Sequence, residues 1–362
     1  MKKILVLNNY SLEAFCEPNP KFPGHLFYGV DFLHRRGDNI VLAGGKTSPL
    51  LRLIEKINLA LHLHIPLGDL SQQWNSLPQV KAADLIYSPC DSVAQVLCYM
   101  RALGLIKIPI VCLAHHPLDF GWAHFMRRPF IKMVLRGTAA FPSLSRGVAE
   151  QINRMARNPQ LSSALPWGPD LSFFPPYQPG RGGVVSAGRT GRDFLTLGRA
   201  ATQTSTPVAI VCPARYVTAE FNRFSPNVTV LANDDEMHYS YDSLIDMYSN
   251  CSAIAIPMLH HVGLCGLSSL LDALAMGRAV IMTRNPLIDI DIEAEGIGFV
   301  IAPGDTDAWR KALQFIEDHP DETQAMGFRA RRLAEQRYNS ESFAERLLTI
   351  FDRAIAEPTS TA

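Results

Sequence analysis

The chain has 362 residues, 47% of them apolar and 19% charged, with 34 Lys+Arg set against 34 Asp+Glu. That length suits two globular domains, and the longest apolar runs are strand-length, so nothing reads as a bilayer span. The even balance hides an asymmetry, since residues 1–170 hold 18 basic and 11 acidic side chains while residues 171–362 hold 16 and 23, and the halves are expected to meet different partners.

The N-terminal MKKILVLNN has a charged start like that of a signal peptide, but its apolar run is too short, and Lys3–Leu7 reads as a first buried strand. A polar loop with Pro18, Pro20, Pro23 and Gly24 leads to a helix over His25–Arg35, ending at Gly37. Asn39–Ala43 is the next strand, 50–65 an amphipathic helix, Ala83–Tyr87 a strand, Val93–Leu103 a helix and Ile108–Ala114 a strand ending at His115-His116-Pro117. Pro129–Leu135 reads as a helix with Pro at its first position, Ala139–Pro142 as a short strand, and Ser145 as the cap of a helix reaching about Met155. Residues 166–183 contain five Pro and four Gly, a density that no helix or central strand survives. They divide the chain into a domain over 1–168, a hinge over 169–182 and a second domain over 183–339.

Alternation restarts beyond the hinge. Strands are expected over Gly183–Ala187, Pro207–Cys212, Val228–Leu231, Ala253–Met258, Ala279–Thr283 and Gly298–Ala302. Helices fit Asp193–Ala201, Ser243–Ser249, Ser268–Met276, Thr306–Glu317 and Asp321–Gln336, and a last one, about 340–356, is free to pack back on the first domain. The whole reads as α/β, with two Rossmann-like halves and parallel sheets. Seven Cys with no CxxC pair, several in apolar runs (Cys112, Cys212, Cys251), favour reduced core thiols and a cytoplasmic setting.

The chemistry concentrates in Ile254–Thr283. A strand-like run leads to a loop with Gly263 and Gly266, and Ser268-Ser269 stand where a helix cap belongs. Leu270, Leu271, Leu274 and Ala275 keep helical spacing, Gly277 occupies the position after the helix, and Ala279–Thr283 is a second strand. In such βαβ units ligands collect at the carboxyl ends of the strands, and a helix N-terminus suits phosphate. Asp272 would add a carboxylate to the same mouth, although the helix dipole alone favours an acid there. The chain has no GxGxxG after its first strand, no GxxxxGK[ST] and no GxSxG, which argues against NAD dehydrogenases, P-loop enzymes and serine hydrolases.

Five segments in order resemble the two-domain glycosyltransferases of the GT-B architecture, specifically the retaining family-4 type. LPWGPDLSFFPP is similar to that family's "IPNGVD…F.P" hinge, and VVSAGRTGRDFLTL to its "GR…K…L". SLIDMYSNCSAIAIPM resembles "ELxxLYxxADVxxxPS", GLSSLLDALAMGRAVIMT resembles "xxxxEAxAxGxPVIxT", and GFVIAPGDTDAW resembles "G.lv.pgD…l". The resemblance implies two Rossmann-like domains with an interdomain cleft, a nucleotide-sugar held by the second and a saccharide or lipid-linked acceptor held by the first. It implies no cofactor, no bound metal and no nucleic acid.

Residue by residue, the resemblance places Arg189 and Arg192 on the donor phosphates, with a surface pair Arg192-Asp193 as the alternative for the second. It places Gly266, Leu267, Ser268 and Ser269 at the loop and helix end that touch phosphate and sugar, and Asp272 on the carboxylate that accepts from the ribose hydroxyls. IPIVCLAHHP puts His115 on the catalytic cleft histidine, a donor or shuttle near neutral pH. Gly24 and His25 fall in the loop facing the acceptor. One departure matters: Leu264 stands where the family has its first Glu, so contacts to the sugar pass to backbone N–H groups or to His260 or His261.

The rivals are an inverting transferase or 2-epimerase, with His25, Glu13, Asp119 or His116 as base, and a non-catalytic donor-binding partner subunit. Two basic amphipathic stretches add the expectation of peripheral contact with an anionic membrane. Arg128, Lys132 and Arg136 recur every fourth residue beside Phe130, Ile131, Val134 and Leu135, and Arg52 and Lys56 lie beside Leu53, Ile57, Leu61 and Leu63.

Overall fold

The computed structural model describes residues 1–9, 21–44, 48–60, 65–118, 124–233, 240–259 and 263–357. They form two compact units. One holds Gly24–Trp167 with the N-terminal strand and the segment from Ser340 onward; the other holds Lys21–Pro23 and Gly168–Asn339.

In the first unit, β1 (Lys3–Val6), β2 (Asn39–Leu42), β3 (Leu85–Ser88) and β4 (Ile110–Cys112) pair in parallel in the order β2-β1-β3-β4. Both faces are covered, so Ile4, Leu5, Leu85, Ile86, Ile110 and Val111 are wholly buried, as parallel strands require. The helices are α1 (Val30–Arg35), α2 (Pro49–Ala60), α3 (Leu70–Val80), α4 (Gln95–Ala102), α5 (His124–Gly137) and α6 (Arg146–Ala156). The terminal helix Ser340–Ala356, α12 in chain order, joins this unit: Phe351 meets the Tyr87 ring at 5.0 Å and Asp352 pairs with Lys2.

Several expected elements change here. The helix over His25–Arg35 is a 3-10 turn, Gly24–Phe27, and then α1, because Tyr28 (φ 49) and Gly29 (φ 84) both adopt the left-handed region. Pro129 does not open its helix but lies inside α5. Its ring leaves the Phe125 carbonyl without a helical donor, and exposure of Phe125 lets solvent supply one. Ala139–Pro142 contributes a bridge at Ala140, and Ser143 just beyond it bridges Ala114 and Ala164, but no strand forms. Helix α3 escapes a periodicity reading because its inward positions Ser71, Gln73 and Ser76 are polar. Gln73 justifies its place by donating to the Leu67 carbonyl and accepting from the Leu97 N–H. The apolar side of α5 packs inward through Ile131, Val134 and Leu135, leaving Lys132 and Arg136 solvated. The expected 50–65 helix is found as far as Ala60, and residues 61–64 lie outside the described residues.

The second unit holds β5 (Val184–Ala187), α7 (Phe194–Ala201), β6 (Val208–Pro213), β7 (Val228–Asn233), α8 (Tyr241–Asn250), β8 (Ala253–Ile256), α9 (Leu267–Met276), β9 (Ala279–Thr283), β10 (Gly298–Ile301), α10 (Thr306–Asp318) and α11 (Pro320–Gln336). Its strands are all parallel in the order β10-β9-β8-β5-β6-β7. That is the doubly wound dinucleotide-fold order, and its direction reverses between β5 and β8.

Gly277 ends α9 in the left-handed conformation (φ 62, ψ 50), with the Arg278 N–H returning to the Ala273 carbonyl. An added Cβ there would run into the Tyr177 ring. Arg278 is buried and donates to the carbonyls of Tyr248, Gln178 and Ser249, so one side chain ties the Pro-rich segment to the sheet. Gly277→Ala is expected to destabilise the second unit by about 2 kcal/mol, from φ strain plus the clash with Tyr177. Urea unfolding followed by circular dichroism should show the loss, and an unchanged midpoint would refute the packing argument.

Candidate functional site

The reversal between β5 and β8 creates a crevice at the carboxyl ends of those strands, and the loops that leave them are zipped together. Asp193 N–H donates to the Pro257 carbonyl at 3.1 Å, and Leu259 N–H to the Gly191 carbonyl at 2.9 Å. Arg192 and Met258 form an isolated antiparallel bridge. From the neighbouring β9, Thr283 Oγ1 accepts from the Met258 N–H, and Asn285 just beyond it donates to the Gly263 carbonyl at 3.0 Å. Sheet order thus brings Arg192, in the loop after β5, to Ser269 and Asp272 of α9, although Arg192 and Ser269 are 77 positions apart.

Arg192 is only 4% exposed, so it is not the surface half of an Arg192-Asp193 pair. Asp193 has the separate task of capping α7 by accepting from the Thr196 N–H. The Arg192 side chain folds back over Gly188, where any Cβ would strike the guanidinium. Its Nη2 donates to Ser269 Oγ at 2.7 Å and its Nη1 to Met258 Sδ at 2.9 Å, while its Nε is buried without a partner. Burial pulls its pKa down, and Asp272 is one of the groups opposing that pull. A guanidinium keeps its proton regardless.

Asp272 is 5% exposed, and its Oδ1 is buried with no hydrogen-bond partner. Burial pushes its carboxyl up to about 7, and the charge of Arg192 offsets only part of that. Tyr248, wholly enclosed beside it, is pushed well above its usual range by burial first and by Asp272 second. A buried carboxyl without donors is costly in a fold and is the kind of group a ligand completes.

The expected cap at Ser268-Ser269 moves to Gly266, which sits at φ 90 where a side chain would press on Ile256 and Met282. The helix therefore begins at Leu267, with Ser268 exposed and Ser269 turned inward to Arg192. N–H groups of a helix's first turn lack intrahelical acceptors, so this end can take an anion. Leu264 is buried and apolar where the resemblance has a carboxylate. Arg189 lies exposed in the loop after β5, its carbonyl held by Arg215 Nη2 and Tyr216 Oη, both at 2.9 Å. His260 and His261 lie outside the described residues, as do Glu13 and Asp119.

In the first unit, His115 follows β4 and its Nε2 lies 2.7 Å from the Pro89 carbonyl. A carbonyl only accepts, so Nε2 carries the proton and Nδ1 keeps the lone pair. Burial drives its pKa down to about 4, with His116 adding to the shift and the Pro89 bond opposing it. A shuttle near neutral pH is therefore not what this environment makes: the ring is neutral there. Tyr28 packs against His115 at 4.6 Å and stacks on Trp167 at 5.1 Å. His25 is 1% exposed, edge-on to Trp167 at 5.3 Å, and its carbonyl accepts from the indole N–H. His25 and Gly24 are thus buried within the unit rather than presented on a loop.

Sequence reasoning missed Tyr248, Met258, Tyr28, Trp167 and Asp91. Tyr248 and Trp167 stand inside segments that carried the resemblance, which was the available signal. Asp91, just beyond β3, is half-buried, and burial pushes its carboxyl up to about 7.

No family model matches the chain, and no curated protein matches it. Solved structures do. HepE of Anabaena in complex with UDP and glucose is 14% identical, with a TM-score of 0.68 over 97% of this chain and 100% of that one. The sucrose-phosphate synthase of Thermosynechococcus elongatus is 16% identical, with a TM-score of 0.70 over 98% and 100%. The lipopolysaccharide outer core galactosyltransferase WaaB, in its apo form, is 14% identical, with a TM-score of 0.58 over 99% and 100%. The chain has the GT-B glycosyltransferase fold.

Two titrations follow from the site. Asp272 has its pKa raised above an ordinary value of 3.8, so its contribution to stability is fully present below that value and is lost as pH rises through about 7. Asp272→Asn should therefore be more stable than the parent by about 1–3 kcal/mol near pH 8, and the advantage should vanish near pH 4, in urea melts at both. His115 has the opposite sense: its stabilising effect holds above its ordinary value of 6.5 and is lost as pH falls towards about 4. An NMR titration should find its ring still neutral near pH 6, a condition at which exposed histidines are well into their titration.

Proposed function

We propose that the protein is a glycosyltransferase that moves a sugar from a nucleotide-sugar donor to a saccharide or lipid-linked acceptor, with retention of anomeric configuration. The observation that carries this reading is the Asp272 carboxyl, enclosed and without a donor at the switch point of the second unit. A ribose diol supplies the O–H groups that this carboxyl lacks. The diphosphate then lies toward the start of α9, with Arg189 and Arg192 as the cations that take up charge as the leaving group departs. Because those cations are protein groups, the reading needs no metal. HepE, which has the same fold, binds UDP and glucose, and that supports a nucleotide-sugar as the donor. His115, in the other unit, serves the sugar as a neutral group, its orientation set by the Pro89 carbonyl. The setting is cytoplasmic, with peripheral contact to an anionic membrane.

A second reading, inversion, is favoured by Asp91: a half-buried carboxyl with a pKa near 7 is suited to take a proton from an acceptor hydroxyl. Anomeric analysis of the product decides between the two.

Incubation with UDP-, GDP- and ADP-sugars should release free nucleotide from at least one. Release from none, with donor binding intact, would leave a donor-binding subunit. If UDP-glucose is the donor, calorimetry should find its affinity flat above about pH 7 and falling below it, by up to about tenfold per pH unit, because binding favours ionised Asp272. Asp272→Ala should bind at least about tenfold more weakly, the loss of one charge-assisted hydrogen bond. His115→Ala should lower turnover more than nucleotide affinity; equal losses, or loss of folding, would make the histidine structural.

A further inference from the structure

Helix α2 is mounted inside out. Its polar residues Glu55 and Asn58 face the unit: Glu55 Oε1 accepts from the Leu70 N–H at 3.4 Å, and Asn58 bonds both the N–H and the carbonyl of Ile65. Those bonds fix the rotation of the helix about its axis. Four of its aliphatic residues then point to solvent, with Leu50 65%, Leu53 51%, Ile54 41% and Ile57 44% exposed, while Leu51 lies half-buried on the inward side. Their spacing of three and four residues makes one continuous stripe. Arg52 and Lys56 are exposed in the same helix, and its single acid, Glu55, is the residue turned inward.

An aliphatic stripe held outward by hydrogen bonds is not leftover surface, since a soluble helix ordinarily turns that face to its core. Two occupants could cover it. A second copy of the chain would bring Arg52 and Lys56 toward their own symmetry mates with no outward acid between them, a like-charge arrangement. An anionic bilayer accepts both features at once: acyl chains take the leucines and isoleucines, and lipid phosphates take the two cations.

We infer that α2 is a membrane-docking helix that seats the first unit on anionic lipid through Leu50, Leu53, Ile54 and Ile57, with Lys56 and Arg52 along one side of that stripe. This deepens the membrane contact named above. It locates that contact in α2 and not in α5, whose apolar side is buried.

The test is sedimentation of the full chain with vesicles of phosphatidylcholine alone or mixed with phosphatidylglycerol. Wild-type protein should sediment with the mixed vesicles, be released by high salt, and stay in solution with the neutral ones. Arg52→Gln with Lys56→Gln should weaken binding roughly 30-fold, at about 1 kcal/mol per cation. Leu53→Ser with Ile57→Ser should abolish it. Both pairs are exposed, so thermal unfolding should match wild type and certify the fold. The idea is overturned if wild type ignores anionic vesicles, if neither variant weakens binding, or if sedimentation equilibrium finds a dimer that Leu53→Ser with Ile57→Ser dissolves. Protein that sediments with the vesicles but binds no nucleotide-sugar supports the docking helix and overturns the donor reading; the reverse result overturns the docking helix alone.

Discussion

Arg192 and Asp272 share a buried space at the point where the second sheet reverses its strand order, and much of that unit's local structure serves to keep them there. The guanidinium is anchored on one side by Ser269 and Met258 and left with an unsatisfied Nε; the carboxyl's Oδ1 is buried with no hydrogen-bond partner among the described residues. Two incompletely satisfied polar groups in a nonpolar setting are a stability deficit. The surrounding sheet offsets it through β8 and β9, whose side chains are essentially all enclosed, and through loops fastened by Thr283 and Asn285. Gly188 and Gly266 belong to the same arrangement, because a side chain at either would occupy space the guanidinium or its sheet neighbours need.

Burial acts with opposite sign on the two units' central titratable groups. It raises the Asp272 carboxyl to about 7 and lowers the His115 imidazole to about 4, since in each case it disfavours the charged form. In the free protein near neutral pH the histidine is therefore neutral, while the carboxyl is divided between its two forms. The one waits for donors that would complete its ionised state. The other offers an Nδ1 lone pair whose direction is fixed by the bond from Nε2 to Pro89. The left-handed Tyr28, lodged between His115 and Trp167, is local backbone strain next to that histidine, where a packed aromatic contact sustains it.

The first unit uses polar side chains inside and tolerates apolar ones outside where a position is pinned. In α3 the inward residues are Ser71, Gln73 and Ser76; in α2 they are Glu55 and Asn58. Such helices defeat a rule that assigns the apolar face to the core. Their orientation is set by a few directed hydrogen bonds rather than by the summed area of a stripe.

The sequence by itself determined the α/β class, the alternation of strand and helix, and the βαβ unit around α9. Those features rest on local pattern: β-branched runs of strand length, helical spacing of Leu270, Leu271 and Leu274, and a glycine at Gly277 where only a left-handed residue closes the helix. Asp272 was legible as a candidate through its place in that unit and through resemblance. Only the tertiary structure decided that its carboxyl is enclosed, that Arg192 lies buried beside it and not at the surface, that His25 is inside its unit, and that α2 faces outward. Each of these depends on which segments become neighbours across the sheet. Burial and hydrogen-bond completion are properties of a three-dimensional neighbourhood, which spacing along the chain does not encode.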